Sequence, residues 1–340
     1  MTTSDVPPRA AVPAPEQPQA QRPALAAGFI LLATAFIAGS TLFAKTLGTA
    51  TFGPPLHPLQ ISHGRFVFAL MMFGSGWLVL RPRLTRPHWR LHLGRTGAGW
   101  ASATLLFAAV AFIPMSDATA LSFMNPVFAM LLAIPLLGET VGRIRWAAAA
   151  IAICGALVLL RPTPASFQPA ALLALGAAVF MGAELIFIKK LAGREAKFQV
   201  LLVNNTIGVC IATAAVLPVW QAPTLAQWGA LAGVGVLMGC AQVCYINGVA
   251  RADASFVAPF NYATLVFAAI YDFALFGVRP TAVSVLGAAI ILAGALLLAW
   301  REARLRPSGA SPSGTGPMPL AAPPPSPPEP PESQSPGPRR

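Results

Sequence analysis

The chain has 340 residues, 56% of them hydrophobic and only 10% charged, and its mean hydropathy is +0.66. Soluble domains carry roughly 25% charged residues, so this composition excludes an ordinary soluble fold. A net charge of +12, from 23 Lys and Arg against 11 Asp and Glu, does not require a nucleic-acid partner. In a membrane protein, excess Lys and Arg in the cytoplasmic loops fixes orientation.

Residues 1–24, with Pro7, Pro8, Pro13, Pro15, Pro18 and Pro23, read as a disordered cytoplasmic extension. They lack the basic start, short apolar core and cleavage site of a secretory signal. Ten apolar segments follow, at about 25–47, 59–80, 97–115, 118–137, 143–160, 170–190, 198–218, 227–249, 254–276 and 281–300. Each is close to the roughly 20 residues that cross a bilayer as a helix. The third and fourth are separated only by Pro114 and the Ser116-Asp117 pair. Residues 307–340 form a second disordered tail, whose proline runs at 323–325, 327–328 and 330–331 favour extended polyproline structure over a packed core.

With the N-terminus inside, nineteen of the 23 Lys and Arg fall on the cytoplasmic side, including Arg81, Arg83, Arg86, Arg90 and Arg95 between the second and third segments. Arg161 and Arg279 are outside, while Lys45 and Arg65 lie within spans. The bias predicts both termini cytoplasmic, and a bacterial-type inner membrane is the expected location. The basic excess is therefore topological, and no nucleic-acid partner is expected. Cys154, Cys210, Cys240 and Cys244 all sit in apolar stretches. The Cys240/Cys244 pair lacks the further His or Cys of a metal site, so no metal or cofactor is expected.

Self-comparison reveals a repeat. Residues 117–126, DATALSFMNP, align with 253–262, DASFVAPFNY, so that Asp117 meets Asp253 and Asn125 meets Asn261. Gly138 and Gly155 then fall opposite Gly277 and Gly294, and IAICGALVLL answers IILAGALLLA. Five helices per half is an odd number, so the second half enters the membrane inverted, the arrangement that lets a central site open alternately to either side. The expected fold is an all-α membrane protein with ten transmembrane helices. They form two inverted five-helix repeats, residues 25–161 and 168–302, between the Pro-rich tails.

The segment FIPMSDATALSFMNPVFAMLLAIPLLGETVGRIRWAAAAIAICGALVLL and its counterpart DASFVAPFNYATLVFAAIYDFALFGVRPTAVSVLGAAIILAGALLLAW resemble the two EamA-type repeats of the drug/metabolite transporter superfamily. Pro126, Gly138-Glu139 and His63-Gly64-Arg65 also carry the likeness, which spans nearly all of residues 25–302. One departure is Phe276-Gly277-Val278, where the second repeat usually has an acidic residue after FG. The resemblance implies a central cavity and transport of a small metabolite. VAPFNY is similar to subgroups that include riboflavin and S-adenosylmethionine transporters, and other relatives export amino acids.

An ionisable side chain inside a span costs at least a few kcal/mol, about 2.5 to 3.5 on insertion scales, and usually faces a partner or a watery cavity. Lys45, near the outer end of the first helix, reads as a snorkelling side chain. Arg65 is a candidate substrate ligand through its five fixed donors. His63 is a candidate proton carrier or binding residue, with a packing histidine as the alternative. His63 shares a face with Gln60, whereas Arg65 points about 160° away from His63, so only one of the two faces looks inward. Glu184 is the acidic candidate for the central site, either as a proton-coupling group or as a structural partner for a basic residue on another helix. Asn261 and Asp272, eleven residues apart, are expected on one helical stripe. Asp272 serves there as a gate, a coupling group or an interfacial residue.

Asn125 and Asn261, as repeat equivalents, are candidate substrate ligands or interhelical hydrogen-bonding groups, as are Asn204, Asn205, Gln242 and Asn247. Tyr262, with Trp100, Phe180, Phe260 and Tyr271, is a candidate stacking residue. Gly229/Gly233 and Gly235/Gly239 have the spacing of close helix contacts. Packing within the chain suffices to explain them, and a homodimer has no support in the sequence.

No G-x-S-x-G elbow, phosphate loop, His-x-x-x-His metal pair or paired carboxylates on one span is read from the sequence. The expected function is therefore secondary transport of a small organic metabolite by alternating access, not catalysis. The substrate is riboflavin-like, S-adenosylmethionine-like or an amino acid, and the direction is open. The alternative is a flippase for a lipid-linked substrate or a membrane enzyme.

Overall fold

The computed structural model describes residues 23–82, 84–138, 141–161, 168–191, 194–251 and 254–305, with side chains omitted at 254–256, 258 and 301–305. The tails, Glu139 and Asp253 lie outside the described residues. The first five segments of the sequence become α1 (Pro23–Gly48), α2 (Pro58–Leu80), α3 (Trp89–Val110), α4 (Met115–Ser122) with α5 (Asn125–Leu137), and α6 (Arg143–Leu160). The second five become α7 (Ala170–Leu191), α8 (Lys197–Val216), α9 (Leu225–Val249), α10 (Ala254–Asn261) with α11 (Ala263–Phe276), and α12 (Ala282–Leu305). Among the described residues, nine helical stretches are long and apolar enough to cross a membrane, and α3 is not among them. It is 22 residues long, but Arg90, His92 and Arg95 occupy its first two turns.

Two differences from the sequence reading have simple physical causes. The fourth and ninth segments are not continuous helices: in the fourth, Pro126 removes the backbone donor that would bond Ser122, and in the ninth the break follows Pro259, which lies inside α10. The chain breaks at Phe123-Met124 in one and at Tyr262 in the other, so the expected stripe from Asn261 to Asp272 does not run through. The third helix begins at Trp89 rather than near 97, and α4 begins at Met115, so Ser116 and Asp117 are helical rather than a turn.

The helix pairs obey an internal two-fold. α1 packs along α9 as α7 packs along α3, α1 meets α10 and α11 as α7 meets α4 and α5, and α2 lies on α9 as α8 lies on α3. α2–α8 and α6–α12 are the self-paired contacts. At α6–α12, a Cβ on Gly155 would lie 2.6 Å from Ile291 N and 2.9 Å from Gly287 O. A Cβ on Gly294 would lie 2.7 Å from both Ala152 N and Ala148 O. The alignment of Gly155 with Gly294 exchanges these two sets of partners, so the contact is its own image. Glycine is required there because the backbones themselves touch.

The same symmetry sets the ends of α5 and α11. Gly138 and Gly277 cap them at φ 67° and 65°. Each donates its N–H back to the preceding turn, to Ala133 and Ile134 in one case and to Asp272 and Phe273 in the other. On α9, Gly233 accommodates Phe43 of α1, while Gly235 and Gly239 accommodate Phe68 and Met72 of α2. Three of the four small residues singled out in the sequence thus serve packing within the chain.

Candidate functional site

α3 presents one stripe, His88, His92, Arg95, Gly99 and Ser102, at spacings of four, four less one, four and three residues, toward α7 and the start of α8. His88 is the residue just before the helix. Gly99 matters because a side chain there would sit 3.1 Å from the Glu184 carboxylate. Its absence lets Glu184 of α7 lie against the α3 backbone and face Arg95, with Nε to Oε1 at 3.8 Å. The Glu184 side chain keeps 24% exposure and that of Arg95 10%. Arg65 of α2 is close enough to interact electrostatically with both. Its Nε and Nη1 are buried without a hydrogen-bond partner, as are Arg95 Nε and the Trp100 indole N–H. The Arg65 guanidinium lies 4.6 Å from the Phe66 ring centroid, a cation–π contact that supplies no hydrogen bonds.

Two guanidiniums against one carboxylate leave this cluster with a surplus positive charge and unused donors. Buried donors without partners cost about 1–3 kcal/mol each. The arrangement suits a bound group rich in acceptor oxygens, for which planar guanidinium is well matched. Arg95 was expected in a cytoplasmic loop, but it is inside α3 at 8% exposure. The basic partner for Glu184 on another helix therefore exists.

His63 is not brought into this cluster. Its Nε2 lies 3.1 Å from Thr213 Oγ1, and its ring stands edge-on to Trp220 at 5.8 Å. Gln60 on the same face bonds the backbone of Gln221 in both directions, at 2.7 and 3.1 Å. The Gln60/His63 face thus packs on α8 and the connection after it, while the opposite face carries Arg65 toward Arg95 and Glu184.

Asn125 opens α5 and donates to the Ser122 carbonyl at 2.9 Å, bridging the helix break. Asn261 ends α10 and hydrogen-bonds the Tyr245 hydroxyl. Tyr262, at the second break, meets Phe123, at the first, edge-on at 5.0 Å. The two broken helices therefore touch at their breaks. Of the other amides, Asn204 accepts from Thr96 of α3 at 3.0 Å, Asn205 and Asn247 bond within their own helices, and Gln242 Oε1 is buried without a partner.

Lys45 does not snorkel. It is 7% exposed and its Nζ lies 2.5 Å from Asp272 Oδ1. Oδ2 of Asp272 accepts the Met115 backbone N–H at 2.6 Å. That carboxylate joins α1, α11 and the start of α4, where helix geometry leaves the N–H without an internal partner. A cavity of about 160 Å³ near this end is lined by Asp117, Arg161, Arg279 and Ser284. There Ser284 donates to Asp117 at 3.0 Å.

The sequence missed Arg95 and the cluster of His88, His92 and Glu195. Both follow from the same oversight: with α3 starting at 97, neither Arg95 nor the His88-x-x-x-His92 pair belongs to a span. The signal was the stripe itself, written in polar residues that an apolarity scan passes over.

Residues 24–161 and 168–300 each match the EamA-like transporter family. A riboflavin transporter of Vibrio cholerae is 30% identical over 254 residues, 70% of this chain and 84% of the relative. An S-adenosylmethionine uptake transporter of Rickettsia bellii is 24% identical over 282 residues, 81% of this chain and 93% of the relative. A solved crystal structure shares the fold with a TM-score of 0.57 at 20% identity, covering 82% of this chain and 99% of its own.

Proposed function

The chain belongs to the EamA-like transporter family, a multi-pass membrane protein and transporter rather than an enzyme, and from that premise we propose that it carries a small acceptor-rich metabolite past Arg65 by alternating access. α3 serves as the tenth span, its charged turns made tolerable by their pairing with α7 and α8. Both termini face the cytoplasm, and the two inverted halves exchange roles as the site opens to one side and then the other. The observation that carries this reading is the Arg65 guanidinium, buried at Nε and Nη1 with no partner beside an ion pair that already uses the available carboxylate. Its unused donors are suited to an acceptor-rich group. Riboflavin, which offers carbonyl oxygens on a flat ring, and S-adenosylmethionine, which offers a carboxylate, both suit such a group, and the named relatives motivate both. Asn125, Asn261 and Tyr262 border the passage at the helix breaks, and His63 and Asp272 shape it from its flanks.

Glu184 couples the cycle to protons: when Arg95 moves away, the carboxylate loses its compensating charge and takes up a proton. The test is flux into vesicles containing the purified protein, with labelled riboflavin, S-adenosylmethionine and amino acids, with and without a pH gradient. Saturable, gradient-sensitive flux of an acceptor-rich compound is expected. Glu184→Gln should insert normally and lose the gradient dependence, and an unchanged dependence would refute its role. Flux of none of these compounds, with lipid scrambling instead, would replace the reading with a flippase.

A further inference from the structure

The two ends of the bundle are held by clasps that the internal two-fold interchanges, and one chemical difference separates them. At one end, Gln60 at the start of α2 bonds the Gln221 backbone. Thr224 and Gln227 at the start of α9 bond the carbonyls of Phe52 and Pro54 in the α1–α2 connection, at 3.1 and 2.7 Å. At the other end, Gln199 at the start of α8 accepts from Thr85 N and Oγ1, at 2.7 and 3.1 Å. His88 and His92 at the start of α3 bond Glu195 in the α7–α8 connection. Gln199 occupies the position of Gln60, Thr85 that of Gln221, and His88 that of Thr224. The first clasp is built of neutral amide, hydroxyl and carbonyl groups throughout.

The second is ionisable. Glu195 Oε1 takes the His88 backbone N–H at 2.8 Å and faces His88 Nδ1 at 3.0 Å. Oε2 faces His92 Nε2 at 2.9 Å and accepts from Gln199 Nε2 at 2.7 Å. Burial alone would favour the neutral acid. The donors from His88, His92 and Gln199 outweigh it and bring the Glu195 carboxyl down to about 2. The carboxylate is therefore charged across the physiological range, and histidine is the side-chain type whose charge ordinarily changes between pH 5 and 8. His92 is fully buried, and its Nδ1 has no partner, so a second proton there would bury an unpaired donor. The His88 side chain is 46% exposed, so its ring stays in contact with water. Along the chain, Arg86 and Arg90 flank His88, and Arg194 and Lys197 flank Glu195. Among the described residues, Glu195 is the one carboxylate bonded to either histidine.

We propose that His88 and Glu195 form a proton-binding site that locks this one end of the transporter. A proton on His88 turns a neutral hydrogen bond into an ion pair with Glu195, so acidification on that side favours the closed clasp. The neutral clasp at the opposite end does not respond. Because His92 and Arg95 lie on the same stripe of α3, separation of α3 from the α7–α8 connection also uncovers the Arg95–Glu184 pair. The proton thus controls access to the central cluster without entering it. This rests on the alternating-access reading above.

The experiment uses the full chain in proteoliposomes, with the four cysteines replaced by serine and spin labels at Arg90→Cys and Arg194→Cys across the clasp. A second pair at Thr51→Cys and Gln221→Cys reports on the other end. Distance distributions are measured at pH 8 and pH 5.5. The short-distance population across the first pair should rise roughly twofold to fivefold at the lower pH, the range for a partly exposed ion pair. In His88→Asn, or in His88→Gln should the first fold poorly, the population should be the same at both values. A pH response that survives in these variants, or no response in the parent, would overturn the proposal. If the parent pairs show two interchanging populations that ignore pH, alternating access stands and the proton site does not. If neither pair shows a second population and no substrate moves, alternating access itself fails and takes the proposal with it.

Discussion

Helix pairs α1–α9 and α7–α3 are related by the internal two-fold, yet they differ in chemistry at the same height. Aligning Phe36 and Phe43 of α1 with Phe180 and Phe187 of α7 sets Ser40 on Glu184. Ser40 donates to the Val234 carbonyl at 2.9 Å, a neutral contact that uses every group it brings together. Glu184 instead stands against Gly99 and opposite Arg95 at 3.8 Å, with Arg65 nearby and underused. The glycines recur, Gly99 on α3 matching Gly235 on α9, while the charges do not. Where the two copies agree they build the scaffold, as at Gly155 and Gly294. Where they part, Arg65 keeps buried donors without a hydrogen-bond partner.

The largest departure from symmetry, and the largest expected effect, is at Lys45 and Asp272. Under the two-fold, Lys45 matches Lys189, but Asp272 falls on Ala133, so this carboxylate has no counterpart. Asp272→Asn leaves a buried ammonium without its counter-charge, and breaking a buried pair costs roughly 3–5 kcal/mol. Thermal unfolding of the purified protein in detergent should show the loss. The double change Lys45→Met with Asp272→Leu should be milder than either single change, since it removes both charges together. Equal stability of Asp272→Asn and the parent would mean that the pair holds nothing.

The next effect separates the two faces of α2. Arg65→Gln should lower transport efficiency roughly tenfold to a hundredfold, the range for a charged hydrogen bond, with insertion unchanged. His63→Asn, on the face that packs against Thr213 and Trp220, should leave efficiency within about twofold while lowering stability by a few tenths to about 1 kcal/mol. Flux measured in vesicles alongside thermal unfolding tells these outcomes apart. A reversed pattern would put the binding face on the wrong side of the helix.

The repeat made much of the architecture legible. Gly138 with Gly277 and Gly155 with Gly294 align in sequence and reappear as matched caps and matched helix contacts. Arg65 was also legible, because a guanidinium in an apolar run is conspicuous. Two things were not. Arg95 and His88-x-x-x-His92 lie in turns whose helical state depends on partners about 90 to 110 residues away, on α7, α8 and their connection, and no local pattern records that. Lys45 read as snorkelling because its partner Asp272 is 227 positions along the chain. Local apolarity locates a helix, but long-range charge pairing decides where it starts and what it faces.

The conserved part of the comparison is testable through the α6–α12 contact. Gly155→Ala and Gly294→Ala each push a methyl onto opposing backbone at 2.6–2.7 Å, where no side chain can swing aside. Each should cost about 1–3 kcal/mol in thermal unfolding, and by symmetry the two losses should be alike. A loss at one position only would show that the contact has a preferred side and that the halves do not pivot about it as equals.

The smallest effect sharpens the same point at the caps. Gly138 and Gly277 have φ of 67° and 65°, a conformation in which a Cβ crowds the following carbonyl at a cost of about 1 kcal/mol. Neither position has a neighbour within 4 Å of an added Cβ, so Gly138→Ala and Gly277→Ala isolate backbone strain from packing. Equal small losses in thermal stability, with transport unaffected, are expected if both caps only end their helices. Unequal losses would locate a functional difference at the ends of α5 and α11. The Gly277 cap is the one to watch, because its N–H donates to the backbone carbonyl of Asp272, the residue that binds Lys45. Strain at that cap would then register in the Lys45 pair, and Gly277→Ala in the Lys45→Met/Asp272→Leu background should lose any excess over Gly138→Ala.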